Sequence, residues 1–171
     1  MEHRGVFFGR DVEIRAVEQR LRKESFVVVA GDSGVGKSSL CKAGVLPRLS
    51  KTTLEAGRTL RTLSFVPGQK PLRALQDALA PLLPAGALDL RALLESDHAA
   101  LYREMTRGLP TDQGVLLFVD QLEELCTISD REEAELAADA LMRACAGPLV
   151  RVLATLRGDF ITQMASLGTI G

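Results

Sequence analysis

The chain has 171 residues, 46% of them hydrophobic and 25% charged, and a formal net charge of −1. This length suits one domain with its own core, and the composition excludes long disordered segments. Because the charge is balanced and neither a secretory signal nor an apolar run of about 20 residues is present, we expect a soluble, cytoplasmic protein without a membrane or nucleic-acid partner.

Apolar runs alternate with amphipathic stretches along the chain, which is typical of parallel strands covered by helices. In the first half, the predicted elements are a helix over 11–23, a strand over 26–30, a loop over 31–36, a helix over 37–46 and a strand over 59–66. Asp11 is placed to cap the first helix, and Pro47 should end the second because proline disrupts a helix interior. The first strand (FVVVA) is apolar throughout, so it should be buried on both faces.

The second half of the chain continues this alternation. Its predicted elements are a helix opening at Pro71, a helix over 89–107, a strand over 115–119, a helix that carries Cys145 and stops at Gly147-Pro148, a strand over 149–156 and a helix over 160–167. Ser129 and Glu132 form a capping-box pattern before the third of these helices. Four parallel strands with intervening helices predict a three-layer α/β sandwich, organised as one domain with an N-terminal helical segment (1–24) and a core (25–171).

Cysteine usage gives no sign of a metal site or a disulfide framework. Cys41, Cys126 and Cys145 are far apart in the chain, and only two histidines are available to join them. No pair has the spacing of metal ligands, and the number of cysteines is odd. We therefore expect three small buried side chains in a reducing cytosol.

The phosphate loop, residues 31–39 (GDSGVGKSS), fits the pattern G-x-x-x-x-G-K-[ST] between a predicted strand and a predicted helix. Such loops hold phosphate oxygens with backbone N–H groups, and the N-terminal end of the helix adds its positive dipole. Lys37 would reach the β- and γ-phosphates, and the hydroxyl of Ser38 would bind Mg²⁺. The candidate nucleotide-binding residues of the loop are Gly31, Asp32, Ser33, Gly34, Val35, Gly36, Lys37, Ser38 and Ser39.

The acidic turn, residues 120–124 (DQLEE), directly follows the third predicted strand. A strand that ends in a carboxylate is the Walker B pattern, in which Asp120 would hold Mg²⁺ through its water shell. Hydrolysis also needs a group that orients or deprotonates a water in line with the γ-phosphate. Gln121 could position that water but is not a base, whereas Glu123 or Glu124 could supply a carboxylate. The sequence leaves the choice among these three open.

Arg157 follows the fourth predicted strand. In sheets of phosphate-loop proteins this strand usually lies between the strands that precede the phosphate loop and the acidic turn. Arg157 should then face the γ-phosphate and could sense it. Asp159 would either cap the next helix or pair with Arg157.

The chain resembles bacterial STAND NTPases in four segments that occur in the same order: 7–14 (FFGRDVEI), 31–49 (GDSGVGKSSLCKAGVLPRL), 116–127 (LLFVDQLEELCT) and 152–160 (VLATLRGDF). These signal-transduction ATPases are related to NACHT, NB-ARC and AAA+ proteins. The similarity is closest to the group whose Walker B motif reads D-Q-F-E-E, from which this chain departs at Leu122.

The resemblance implies roles that residue patterns alone do not. Gly9 and Arg10, with Glu13, would lie near the adenine and ribose, and Arg157 would be the sensor arginine. It also implies ATP or ADP with Mg²⁺ as ligands, nucleotide exchange coupled to self-association, C-terminal sensor and effector domains in the same chain, and a role in signalling or defence. Because no fifth core strand and no lid element follow in the sequence, we expect a truncated sandwich with reduced affinity and turnover.

Other functions fit parts of the sequence. Gln121, at a position often held by a glutamate, favours a nucleotide-binding regulatory module with negligible hydrolysis. The G-R-x-x-E element also occurs in AAA+ proteins that load or remodel nucleic acids, although the near-neutral charge argues against that function. A GTPase is disfavoured because the chain has no N-K-x-D motif.

Overall fold

The sheet of the computed structural model consists of four parallel strands, which are β1 (Phe26–Gly31), β2 (Thr59–Phe65), β3 (Gln113–Val119) and β4 (Val150–Arg157). The structure describes residues 9–51, 57–83 and 89–167. Residues 1–8 of the predicted segment 1–24, and residues 52–56, 84–88 and 168–171 of the predicted core 25–171, therefore lie outside the described residues, as do the first two residues of segment 7–14. The strand order is β1-β4-β3-β2. As predicted, β4 lies between the strands that precede the phosphate loop and the acidic turn.

The two central strands, β3 and β4, are buried on both faces. Successive side chains of a strand point to opposite faces of the sheet. In β3, Leu117 and Val119 therefore belong to one hydrophobic core, and Leu116 and Phe118 belong to the other. The continuous apolar run that predicted β3 is explained by this double burial. The run FVVVA predicted the same for β1, but that prediction was wrong, because β1 lies at the edge of the sheet and only Val27 of its residues is buried.

One face of the sheet is covered by α1 (Asp11–Lys23) and by a continuous helical stretch of α2 (Lys37–Ser39), a π-helical segment (Leu40–Val45) and α3 (Leu46–Leu49). Ile14, Val17 and Leu21 recur at helical spacing on α1, and all three are buried in the core of this face. The helix that follows the phosphate loop is thereby fixed between α1 and the sheet.

The other face is covered by helices from the middle and the end of the chain. These are α4 (Pro71–Leu79) with a 3₁₀ turn (Ala80–Leu82), α5 (Leu90–Ser96), α6 (Ala100–Thr106), α7 (Glu124–Thr127), α8 (Arg131–Ala144), a 3₁₀ turn (Gly158–Phe160) and α9 (Ile161–Ser166). Because separate hydrophobic cores fill both faces of the sheet, the predicted three-layer α/β architecture is confirmed. Within the described ranges, no helix has the length and apolar character that crossing a membrane requires.

Two predictions about the first helices were wrong. Pro47 does not end the second helix but lies in the first turn of α3. The preceding turn is π-helical, with Leu46 N–H donating to Cys41 O, and this wider turn accommodates the proline ring that would clash in a regular α-helix. Asp11 does not cap α1: Arg10 occupies the N-cap position without a side-chain bond, and Asp11 pairs with Arg48 of α3.

Two further predictions failed where aspartates compete with the helical backbone. The predicted helix 89–107 is interrupted at Asp97, whose Oδ1 accepts a hydrogen bond from Ala99 N at 2.7 Å. Asp130, rather than Ser129, caps α8 by accepting hydrogen bonds from the first backbone N–H groups of that helix. The Ser129 hydroxyl instead donates to Gly68 O at 2.7 Å, so it ties α8 to the loop after β2.

The cysteines only partly match their predicted burial. Cys41 is fully buried beneath the sheet face, whereas Cys126 and Cys145 are half-buried. Burial raises the pKa of the Cys41 and Cys145 thiols to about 12. Both therefore stay protonated near neutral pH and are weak nucleophiles.

Gly114 provides a test of the packing between β3 and β4. A Cβ at this position would lie 2.8 Å from Leu149 O, which accepts a hydrogen bond from Val115 N and so cannot move away freely. We expect Gly114→Ala to lower the free energy of unfolding by about 1–3 kcal/mol in urea denaturation. Gly108→Ala is the control, since nothing lies within 4 Å of its Cβ position. An equal loss in both variants would contradict the steric explanation.

Candidate functional site

The phosphate loop connects β1 to α2 and holds its own lysine. Gly34 and Gly36 have φ angles of 81° and 85°, in the left-handed region that favours glycine. Gly36 precedes the first residue of α2, so the helix begins directly at Lys37. The Lys37 ammonium donates to Gly31 O at 2.8 Å and to Asp32 O at 2.7 Å. The side chain is thereby folded back across the loop.

Asp120, at the end of β3, contacts the phosphate loop directly. Its side chain is 5% exposed. Oδ1 accepts hydrogen bonds from the Ser38 hydroxyl at 2.6 Å and from the Thr155 hydroxyl at 2.7 Å. Oδ2 pairs with the Lys42 ammonium at 2.6 Å. The structure thus brings together the two residues, Ser38 and Asp120, that the sequence identified as candidate metal ligands.

These contacts keep the Asp120 carboxylate ionised. Burial raises the pKa of this carboxyl group, but the hydrogen bonds from Lys42, Ser38 and Thr155 outweigh burial, so the pKa lies below its usual value. A hydroxyl and an ionised carboxylate are oxygen ligands of the kind that Mg²⁺ prefers. Because the carboxylate already attracts a cation in the form of Lys42, the residues present fit a divalent metal.

The polar residues of the acidic turn have different surroundings. Gln121 has a left-handed φ of 59°, and its N–H donates to the Thr155 hydroxyl at 2.9 Å. The Glu123 carboxylate is largely buried and accepts from Arg157 N at 3.2 Å. The Glu124 carboxylate accepts from Gly68 N at 2.8 Å, in the loop after β2. Although adjacent in sequence, the two glutamates therefore bind different parts of the fold.

Arg157 lies beside the site, with its guanidinium bound to a neighbour. Two hydrogen bonds of 3.2 and 2.6 Å join it to Asp159. Its guanidinium carbon also lies 5.1 Å from the centre of the Phe160 ring. Of the two predicted roles of Asp159, pairing with Arg157 is the one observed. Arg157 is thus near the candidate phosphate position but faces its own loop.

The N-terminal element adds one residue to this region. A Cβ on Gly36 would lie 3.7 Å from Nη1 of Arg10, so the Arg10 guanidinium is close to the phosphate loop. Gly9 has a left-handed φ of 105° and precedes α1, and Glu13 is exposed on α1.

A cavity of about 600 Å³ lies above these residues. Its lining from the phosphate loop comprises Ser33, Gly34, Gly36, Lys37, Ser38 and Ser39, and its remaining lining comprises Gln121, Glu123, Glu124, Thr127, Ile128, Thr155 and Arg157. Of the predicted loop residues, Gly31 and Asp32 contribute carbonyl groups to Lys37, and Val35 is 43% exposed at the loop tip. The cavity is therefore bounded by both motifs and by the end of β4.

Two residues of the site, Thr155 and Lys42, are not among those that the sequence predicts. Thr155 is a polar residue near the end of the largely apolar strand β4; its hydroxyl donates to Asp120 and accepts from Gln121 N. Lys42 follows Ser38 at the spacing that places two side chains on one helical face. The polar residue in β4 and the spacing of Lys42 from Ser38 can both be read in the sequence. Thr155 is placed beside Asp120 by the register of β4 against β3, and Lys42 by the packing of its helix.

Comparison with known proteins identifies one family and a shared fold. The family model described as Novel STAND NTPase 1 matches residues 1–170. The ORC2 protein of Aeropyrum pernix, solved as ADPNP–ADP complexes, has 17% identity and a TM-score of 0.57, over 99% of this chain and 48% of that one. A Walker-type ATPase of Pyrococcus abyssi has 17% identity and a TM-score of 0.45, over 94% of this chain and 47% of that one. No curated protein matches the sequence significantly.

At 17% identity, the ORC2 similarity shows that this chain shares the fold of that protein and shows nothing further. This chain spans about half the length of that protein, 48%.

Thr155 provides a test of how the site is held together. Thr155→Val keeps the shape of the side chain but leaves Gln121 N without its acceptor and Asp120 with one donor fewer. We expect a loss of about 1–3 kcal/mol in the free energy of unfolding, measured in urea.

Thr62→Val on β2 is the matched control. The Thr62 hydroxyl oxygen is buried and has no hydrogen-bond partner among the described residues. Its replacement by a methyl group should therefore leave stability unchanged or increase it. Equal losses in the two variants would show that the hydroxyl of Thr155 has no special role.

Proposed function

The chain belongs to the Novel STAND NTPase 1 family, and on that premise we propose that the cavity binds an adenine nucleotide with Mg²⁺ and that the domain hydrolyses ATP. The observation that carries this proposal is the 2.6 Å contact between the Ser38 hydroxyl and the Asp120 carboxylate at the base of the cavity. It joins the phosphate loop to a buried anion at the point where a triphosphate and its metal would meet.

The choice of adenine rests on the family resemblance and is supported by the fold relative. The ORC2 protein was solved with ADPNP and ADP. In this chain, Arg10 lies close to Gly36 and can contact the base or ribose side of a nucleotide held by the loop. Gly9, next to it, has no side chain to block that approach.

The main groups around the phosphates then have separate tasks. The backbone N–H groups around Gly34 and Gly36 hold the β-phosphate, and Lys37 exchanges the carbonyls of Gly31 and Asp32 for phosphate oxygens. Ser38 and Asp120 would hold Mg²⁺, which would supply positive charge to neutralise the β- and γ-phosphates. Thr155 keeps the Asp120 carboxylate in place.

We propose that Glu123 is the residue that orients and deprotonates the attacking water. Glu123 lines the cavity and its carboxylate accepts a hydrogen bond from Arg157 N, which supports a place for it beside the γ-phosphate. Glu124 also lines the cavity, but its carboxylate is engaged by Gly68 N and holds the loop after β2. Gln121, whose side chain is not a base, would position the water or the phosphate.

For the whole protein, we extend the proposal to a cytoplasmic switch in signalling or defence. Nucleotide exchange would be coupled to self-association, with C-terminal sensor and effector domains in the same chain. Arg157 would leave Asp159 to contact the γ-phosphate and so distinguish ATP from ADP. Membership of the family supports this extension.

A second function, nucleotide binding with negligible hydrolysis, is favoured by one observation. Both glutamates of the acidic turn already accept backbone hydrogen bonds, and the residue directly after Asp120 is Gln121. Measured turnover by the parent protein decides between the two.

Nucleotide binding is tested by thermal unfolding with and without ligand. The parent should be stabilised by Mg·ATP and Mg·ADP, by about 2.7 kcal/mol at a ligand concentration of about 100 times Kd. Lys37→Ala should abolish this effect because the phosphates lose their lysine. The control is Lys23→Ala, at the exposed C-terminal end of α1. Equal stabilisation by Mg·GTP would contradict the choice of adenine.

The water assignment is tested by comparing the two glutamates. Glu123→Gln should lower the rate of ATP hydrolysis by about 10²–10⁴-fold while nucleotide binding persists, because the amide cannot accept the water's proton. Glu124→Gln keeps an oxygen for Gly68 N and should change the rate far less. A large loss with Glu124→Gln and none with Glu123→Gln would reverse the assignment.

A further inference from the structure

Lys42 places a positive charge at the centre of the proposed metal site. Its ammonium lies 2.6 Å from Oδ2 of Asp120, while Ser38 and Thr155 donate to Oδ1. Lys37, the lysine of the phosphate loop, is occupied by the carbonyls of Gly31 and Asp32. Among the described residues, Lys42 is therefore the cation that balances the charge of Asp120.

The helix geometry explains how Lys42 reaches this position. Ser38 and Lys42 are separated by one turn of the helical stretch that follows the loop, so both side chains point to the same side. The stretch is π-helical from Leu40 to Val45, a variant that is frequent at functional sites. The two residues reach different oxygens of one carboxylate.

The three donors around Asp120 differ in how easily they can leave. Thr155 is 1% exposed, and its hydroxyl also accepts from Gln121 N, so it is fixed. The Ser38 hydroxyl can offer a lone pair to a metal while its O–H continues to donate to Oδ1 of Asp120. The Lys42 side chain is 55% exposed and can turn into water, while the Asp120 side chain is only 5% exposed. Lys42 is thus the donor that can be released.

We propose that Lys42 is the resident counter-cation of Asp120 and gives up Oδ2 when Mg²⁺ binds. This inference rests on the proposed function. In the metal-free protein, Lys42 prevents an uncompensated buried carboxylate, which would destabilise the fold. In the metal-bound protein, Mg²⁺ would have displaced the Lys42 ammonium from Oδ2 of Asp120, because the two cations compete for that oxygen. Lys42 therefore weakens the dependence of nucleotide binding on Mg²⁺.

The test measures how strongly Mg²⁺ promotes nucleotide binding. The Kd of fluorescent N-methylanthraniloyl-ADP is determined in EDTA and in Mg²⁺ for the parent, Lys42→Met and the control Lys23→Met. We expect the ratio of the Kd in EDTA to the Kd in Mg²⁺ to be about fivefold larger in Lys42→Met than in the parent. This size is typical of an ion pair with one exposed member. Lys23→Met should keep the parent's ratio.

The possible results separate this inference from the proposed function. If the parent does not bind the ADP probe, the proposed function is wrong and this inference fails with it. If the parent binds but Lys42→Met has an unchanged or smaller ratio, only the role of Lys42 is overturned.

A second measurement needs neither metal nor nucleotide. In EDTA, Lys42→Met should lower the midpoint of thermal unfolding in the parent chain, or prevent folding altogether. In a chain that already carries Asp120→Asn, it should have little effect because the buried charge is absent. Equal losses in both chains would show that Lys42 does not act through Asp120.

Discussion

The buried carboxylate of Asp120 is the constraint on which the site depends. A charge removed from water is tolerated only where donors and an opposite charge replace the solvent. Here the donors come from two separate segments, since Ser38 and Lys42 lie on the helical stretch that begins at Lys37 and Thr155 lies on β4. The hydrogen bonds and the ion pair of Asp120 therefore fix the position of that helical stretch relative to the two central strands, β3 and β4.

The position of β4 extends this arrangement along the edge of the sheet. Because β4 lies between β1 and β3, its end brings Thr155 and Arg157 against the acidic turn. The backbone of Arg157 then holds Glu123, whereas Glu124 is drawn towards the loop after β2. Adjacent glutamates with the same chemistry are thus given different surroundings, and the proposed division between catalysis and loop support follows from that difference.

The cations of the site are held by groups of the protein itself. Lys37 is bound to loop carbonyls, Lys42 to Asp120 and Arg157 to Asp159. A bound triphosphate would have to exchange these partners rather than meet free charges. The net affinity for a nucleotide would then be the difference between two sets of contacts. The exposed side chains of Lys42 and Arg157 make such exchanges possible.

The sequence determined the layers of the fold and the two motifs of the site, because continuous apolar runs define buried strands and glycine spacing defines a phosphate loop. It did not determine the break at Asp97 or the cap at Asp130, because side-chain hydrogen bonds compete there with the helical backbone. Nor did it determine the helix through Pro47, which depends on the π-helical turn before that residue. Only the tertiary structure identified Lys42 and Thr155. Their importance comes from the register of β3 against β4 and from the packing of a helix above them, and both are contacts between distant parts of the chain.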